Sequence, residues 1–252
     1  MRSPFVAGRI PPVCFALAAL AGCGGGVPLM HTAHPVAKGD VTFGAGFSGV
    51  TAPVTASREG TPADGELVEA ASVAPGLAPW IGGRLGFGAG LDAGLTYSGR
   101  AARLDLRRAF PLTGSVDLSV GAGASALLPH RRERLGLRVG GFGADVPVLV
   151  GWRSTGEIYA AWFGLRGGAE LLRGRRELAS DPLSPEILVN EPVGGRHGWA
   201  GGLVGMRVGF RHVFAVLEVD AAMHWVTADV AGRAVSSSQL AVAPAAALVS
   251  RF

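Results

Sequence analysis

Glu218, Asp220 and His224 are the residues whose types and spacing come nearest to a catalytic group in this chain. Carboxylates and imidazoles are the side chains that most often transfer protons in general acid–base catalysis. Alternate residues of a β-strand point the same way, so this spacing places all three on one face of a strand. At about 3.3 Å per residue, His224 lies about 13 Å from Asp220, which is too far for a direct hydrogen bond. We therefore expect a structural role for them.

Motifs for other chemistry are missing from the sequence. It contains no Gly-x-Ser-x-Gly, no His-Glu-x-x-His and no phosphate-binding loop. His31 and His34 have a spacing that could clip a metal ion, but two ligands in a flexible segment make a weak site. The sequence thus predicts no enzyme, no cofactor and no metal site.

Strict alternation of apolar and polar residues is the strongest pattern in the chain. In segment 116–126, Val, Leu and Ala occupy the even positions, whereas Asp, Ser and Gly occupy the odd positions. This period of two indicates β-strands with one apolar face. The same pattern recurs in segments 41–48, 91–98, 102–107, 204–211 and 217–225.

Composition narrows the fold class. The chain has 40 glycines and 48% hydrophobic residues, but after the N-terminal region no apolar run is long enough for a membrane helix. Glycine is also costly inside helices, at about 1 kcal/mol relative to Ala. We predict an all-β fold, a single antiparallel up-and-down β-barrel of about ten strands in residues 40–252. The predicted strands lie near 40–50, 79–88, 91–98, 101–109, 115–128, 137–152, 156–170, 197–211, 213–227 and 239–252.

The lengths of the predicted connections favour a barrel of the outer membrane, where short periplasmic turns alternate with longer external loops. With both termini in the periplasm, the external connections are 51–78, 99–100, 129–136, 171–196 and 228–238. The internal ones are 89–90, 110–114, 153–155 and 212. All the long connections therefore fall on one side.

Charged residues in the middle of predicted strands lie on the polar face, which would line the lumen. We expect a mixed-sign network there, formed by Arg103, Asp105, Arg107, Arg207, Arg211, Glu218, Asp220 and His224. Side chains fill the interior of small barrels, and mixed signs suit a filled interior better than an ion-selective pore.

The N-terminus predicts export. Arg2 and Arg9 precede an apolar run, which is the layout of a signal peptide. Leu20-Ala21-Gly22-Cys23 resembles the lipobox of bacterial lipoproteins. That resemblance implies a cleaved signal peptide over residues 1–22, lipid on Cys23 and the lipoprotein-processing machinery of a Gram-negative cell as a partner. Residues 23–39 are interpreted as a flexible tether.

The C-terminus carries a second resemblance. Phe252 follows alternating apolar residues and is similar to the assembly signal of outer-membrane barrels, and the glycine-rich hairpins look like those of small barrels of that class. The resemblance implies outer-membrane lipid and the barrel assembly machinery as partners. The 23 basic residues are dispersed, which argues against nucleic acid. The oligomeric state does not follow from the sequence.

Three functions remain open at this stage. The first is a lipid-anchored outer-membrane barrel with a structural or binding role and a periplasmic N-terminus. The second is a lipid-anchored soluble barrel in the periplasm that binds a small apolar ligand. The third is an outer-membrane barrel enzyme acting on envelope lipid. The soluble barrel requires the apolar face to point inward, and alternation does not determine which face that is.

Overall fold

The computed structural model describes residues 26–51, 55–60, 64, 72–73, 75–132, 137–181 and 184–252. These residues form an antiparallel sheet that closes into a barrel, because β1 pairs with both β3 and β11. Ten strands make up the closed ring in chain order, which confirms the predicted up-and-down barrel. The strands are β1 (Val41–Val50), β2 (Thr55–Glu59), β3 (Gly76–Gly88), β4 (Leu91–Tyr97), β5 (Ala101–Pro111), β6 (Val116–Arg132), β7 (Leu137–Arg153), β8 (Tyr159–Asp181), β9 (Ser184–Phe210), β10 (Val213–Val230) and β11 (Arg233–Arg251). The short β2 pairs with β11 outside the ring.

The two ends of the barrel differ. The near end holds the first residue of β1, the last residue of β11 and the turns that follow β3, β5, β7 and β9. The far end holds the connection from β1 to β3, where Asp64, Ser72 and Val73 are buried. Among the described residues, no helix is long and apolar enough to cross a membrane.

Two of the predicted external loops are strands in the structure. Most of 171–196 belongs to the β8–β9 hairpin, and most of 228–238 to the β10–β11 hairpin, which turns at Ala231 and Gly232. Gly232 has a φ of +81°, which suits a tight turn. These segments carry many polar residues on both faces, so they lack the alternation that identifies the other strands. Their backbones nevertheless pair with each other, which extends both hairpins beyond the predicted strand ends.

The apolar face of the barrel points outward. Leu95 is 62% exposed, Leu104 62%, Phe142 74% and Leu165 70%, although all four lie within strands. On the opposite face, Arg103 is only 1% exposed. This arrangement is the reverse of a water-soluble barrel, whose apolar side chains would fill the interior.

Residues 26–40, which we name the inner segment, precede β1, and residues 28–34 of this segment are buried inside the barrel. Leu29, Met30, Ala33 and His34 are all buried there. This corrects the prediction of a flexible tether for the described part of 23–39. Gly26 lies beside Ser48 in the far half of the lumen, and the segment then runs toward the near end and enters β1. The predicted signal peptide, residues 1–22, and Cys23 lie outside the described residues.

Candidate functional site

Charged side chains of alternating sign form a continuous chain across the lumen. We name it the charge chain, and its members in spatial order are Arg107, Asp92, Arg84, Asp105, Arg103, Asp145 and Arg166. Each carboxylate lies between two guanidinium groups. Because every charge has a partner of opposite sign, the chain can be buried without an isolated charge.

The strongest contacts of the charge chain are bidentate. Arg103 donates from Nε and Nη2 to the two carboxylate oxygens of Asp145, at 2.8 and 3.0 Å. Its Nη1 donates to Asp105 at 2.6 Å. Arg107 likewise donates to both oxygens of Asp92, at 2.7 and 2.8 Å. Paired bonds of this kind fix the planar guanidinium group and add directional specificity.

The inward positions of five strands supply the charge chain. Arg103, Asp105 and Arg107, which the sequence predicts in the network, alternate along β5 with outward residues. Four further members are absent from the network that the sequence predicts, namely Arg84 on β3, Asp92 on β4, Asp145 on β7 and Arg166 on β8. The signal was available, since each lies on the polar face of an alternating strand.

Glu218 holds the inner segment. Its two carboxylate oxygens accept hydrogen bonds from the backbone nitrogens of Leu29, at 2.6 Å, and Met30, at 3.0 Å. The indole nitrogen of Trp162 donates to the same carboxylate at 3.3 Å. Buried backbone N–H groups need acceptors, and in this irregular segment a side chain supplies them.

The near half of the inner segment is held by the charge chain. Arg107 donates to the backbone oxygens of Thr32 and His34, and Asp92 accepts from the backbone nitrogen of Val36 at 2.9 Å. His34 Nδ1 also lies 2.8 Å from Asp117 Oδ2 on β6. The charge chain and the inner segment therefore form one hydrogen-bonded unit that fills the lumen.

A second polar cluster lies toward the far end. Glu170 Oε2 is 2.8 Å from His197 Nδ1, and His197 Nε2 is 2.9 Å from His224 Nδ1. Arg100 donates to the same Glu170 oxygen at 2.8 Å. These contacts form a continuous hydrogen-bonded row from a carboxylate to two histidines, in which the tautomer of each imidazole sets which nitrogen donates. His224 contacts His197 and, through it, Glu170, and neither of these residues is in the network that the sequence predicts.

The remaining predicted network residues are dispersed. Glu218 and Asp220 face the lumen on β10, but Glu218 binds the inner segment and not an arginine. Arg207 lines a cavity at the near end, with its guanidinium carbon 4.4 Å from the ring centre of Phe214. Arg211 is exposed in the turn between β9 and β10, where it lies over Phe210. The predicted pairing of Arg207 and Arg211 with the β10 carboxylates is therefore not formed.

A metal site is not among the features of the described residues. No group of three or more His, Cys, Asp or Glu side chains there is arranged to hold an ion. His31 and His34, the candidate metal clip, contact different groups. His31 Nδ1 lies 2.8 Å from a nitrogen of Arg107, whereas His34 binds Asp117.

No protein-family model and no curated protein matches the chain. Solved structures similar to it include Ail, the attachment invasion locus protein of Yersinia pestis, which is 8% identical with a TM-score of 0.30, covering 85% of this chain and 99% of its own. Neisserial surface protein A is 12% identical with a TM-score of 0.30, covering 85% and 100%. The toluene transporter TbuX of Ralstonia pickettii is 11% identical with a TM-score of 0.30, covering 86% and 90%. Similarities at these TM-scores support no inference about this chain.

Proposed function

We propose that this protein is an integral β-barrel of the outer membrane, exported by a cleaved signal peptide and lipidated on Cys23, with a structural or binding role. The observation that carries the proposal is the direction of the two strand faces. Large apolar side chains cover the outside, and charged side chains with their hydrogen-bond partners fill the inside. A bilayer solvates the first face and excludes the second, whereas water does the reverse.

The positions of the outward charges agree with a membrane. Arg108 lies near the near end of β5, and Arg173, Arg175 and Arg196 lie toward the far ends of β8 and β9. Between these levels, the outward positions of β3 are Leu, Pro, Ile, Gly, Leu and Phe. An apolar band bordered by charged residues is the surface of a transmembrane barrel.

The filled lumen favours a structural or binding role over an open channel. The inner segment and the charge chain occupy the interior together, and their contacts join strands on several sides of the ring. An ion-selective pore would instead expose charges of one sign along a water-filled path.

The lipid on Cys23 places a geometric condition on the inner segment. Cys23 lies three positions before Gly26, and an extended chain of that length spans at most about 10 Å. Gly26 is inside the barrel, where its carbonyl oxygen accepts from Ser48 Oγ at 3.2 Å. Acyl chains on Cys23 therefore reach lipid through the far end of the barrel, or the inner segment leaves the lumen.

The proposal is tested by comparing wild type with Cys23→Ala in cells. Membranes are extracted with alkaline carbonate, and the pellets are run on gels with and without boiling. An integral barrel remains in the pellet without its lipid, and its mobility shifts on heating because the folded barrel resists the detergent. Release of Cys23→Ala into the soluble fraction would contradict the membrane barrel and favour a soluble protein held by its anchor alone.

A further inference from the structure

A cavity of about 120 Å³, which we name the near cavity, lies between the inner segment and the near end of the barrel. Its apolar walls include Trp80, Trp162, Val216 and Val249. Its polar lining at the mouth consists of Arg153, Glu157, Arg207 and Arg251. The cavity therefore combines an apolar interior with a charged mouth.

The mouth of the near cavity has more positive than negative charge. Arg153 Nη1 lies 2.9 Å from one oxygen of Glu157, and Arg251 Nη1 lies 2.6 Å from the other. Both oxygens of this single carboxylate are therefore paired with arginines. Arg207 is the third cation, and its Nε is buried without a hydrogen-bond partner among the described residues.

A second unpartnered donor lines the same cavity. Trp80 is 4% exposed, and its Nε1 has no partner within the described part of the chain. His31 Nε2 is also buried and unpartnered, while Nδ1 of the same ring lies 2.8 Å from a nitrogen of Arg107 and 3.2 Å from the carbonyl oxygen of Thr32. Buried donors normally have acceptors, so the guanidinium Nε of Arg207 and the indole N–H of Trp80 indicate a site for an acceptor group.

We propose that the near cavity binds a small monocarboxylate with a compact apolar body, held by Arg207 and the indole N–H of Trp80. A carboxylate supplies acceptors only, which is what these donors lack. The indole walls of Trp80 and Trp162 contact the apolar body. The site goes beyond the structural or binding role of the barrel, because it names the class of ligand.

The volume of the near cavity limits the size of the ligand, and the position of its mouth sets the route of entry. A cavity of about 150 Å³ accommodates benzene, so the near cavity, at about 120 Å³, limits the apolar body to at most one small ring or a short branched chain. The side chains of Arg153, Glu157 and Arg251 are 34%, 31% and 32% exposed, so the cavity opens at the near end. The ligand enters there, on the side of the short turns.

The test is calorimetric titration of the full chain, folded in an uncharged detergent, with benzoate, benzamide and inorganic phosphate. Benzamide has the shape of benzoate without its charge, and phosphate has charge without an apolar body. We expect saturable binding of benzoate, with both other probes weaker by about tenfold or more, as the loss of one charge-assisted hydrogen bond predicts. Benzamide or phosphate binding as tightly as benzoate would overturn the proposal.

Variants locate the site. Arg207→Gln is expected to weaken benzoate by about tenfold, whereas Arg211→Gln, four residues away in the exposed turn, leaves it within about twofold. Glu157→Gln is expected to strengthen binding, because it releases two arginines from a competing carboxylate. Equal affinity in wild type and Arg207→Gln would contradict the site. Should Arg207→Gln fail to show the heat-dependent gel shift of a folded barrel, the three-probe comparison on wild type still decides. A negative result would leave the membrane barrel untouched, since carbonate extraction tests it separately.

Discussion

The carboxylate of Glu218 lies 2.6 Å from the backbone nitrogen of Leu29, although 189 positions separate the two residues along the chain. This contact joins the last third of the barrel wall to the segment that precedes its first strand. The inner segment is therefore part of the folded interior, and its loss should loosen the barrel from within.

Replacing Glu218 by Gln should release the inner segment in part. The amide keeps one acceptor oxygen, which is uncharged, and places its NH2 group where the other oxygen was. One of the two backbone donors of Leu29 and Met30 therefore loses its acceptor, at a cost of about 1.5–3 kcal/mol. Hydrogen exchange followed by mass spectrometry should show faster exchange at these amides. As a control, Glu59→Gln at the exposed far rim should leave exchange at the amides of Leu29 and Met30 unchanged. Unchanged protection in Glu218→Gln would mean that the carboxylate does not hold the segment.

Gly86 tests how closely the inner segment packs against the barrel wall, because adding a methyl group there changes only the space available. A Cβ at this position would lie 2.0 Å from the backbone oxygen of Ala37, so Gly86→Ala must displace the inner segment. We expect a loss of about 1–3 kcal/mol, the usual cost of overpacking, measured by urea unfolding of the barrel in lipid. Gly202→Ala is the matched control, since its Cβ would meet no atom nearer than 3.7 Å. Equal stability of the two variants would contradict the close packing at Gly86.

The charge chain makes a prediction of its own. Arg103→Met removes one of the two guanidinium groups beside Asp145 and beside Asp105, which keep Arg166 and Arg84 respectively. We expect a loss of about 1.5–3 kcal/mol, the scale of a lost hydrogen bond to a charged group. Arg175→Met changes an arginine whose side chain is 52% exposed and should cost less than about 1 kcal/mol. Unfolding in urea measures both. A small effect of Arg103→Met would show that the charge chain contributes little to the stability of the barrel.

The lowered pKa of Glu157 predicts how the stability of the fold depends on pH. Burial by itself raises the pKa of Glu157, but the hydrogen bond and charge of Arg251 and the charge of Arg153 outweigh it and bring the pKa below its ordinary value of 4.5. A carboxyl group with a lowered folded-state pKa stabilises the fold above its unfolded pKa and loses that contribution as pH falls through the folded pKa. Wild type should therefore melt higher than Glu157→Gln at pH 7, and the difference should disappear in acid. A difference that is constant from neutral pH to acid would rule out the ionised carboxylate as its source.

The sequence predicts the barrel well for a physical reason. Alternation in segments such as 116–126 follows from two environments on opposite faces of a strand, and that local pattern is clear in six of the ten ring strands, β1, β4, β5, β6, β9 and β10. It fails for 171–196, where the extended hairpin has polar residues on both faces. Alternation also leaves the direction of the faces open, and the structure resolves this by placing Leu104 outside and Arg103 inside.

The interior was less predictable because its contacts are distant in sequence. Arg103 and Asp145 are 42 positions apart, and their pairing depends on the register of three strands. The inner segment has no apolar period, since its partners are lumen side chains and not a neighbouring strand. Pro28 and Pro35 reinforced the interpretation as a tether. Only the three-dimensional ring shows that this segment fits inside.

The central claim, that the outer face contacts lipid, is tested most directly by labelling cysteines in nanodiscs, which leave both ends of the barrel accessible. In a Cys14→Ala, Cys23→Ala background, which removes both native cysteines, Leu104→Cys and Gly114→Cys are exposed to a charged maleimide. Leu104 is 62% exposed in the middle of β5, and Gly114 lies in the turn after that strand, where a Cβ meets no atom within 4 Å. We predict rapid modification of Gly114→Cys and protection of Leu104→Cys until the lipid is removed. Modification of both at the same rate would contradict the membrane barrel.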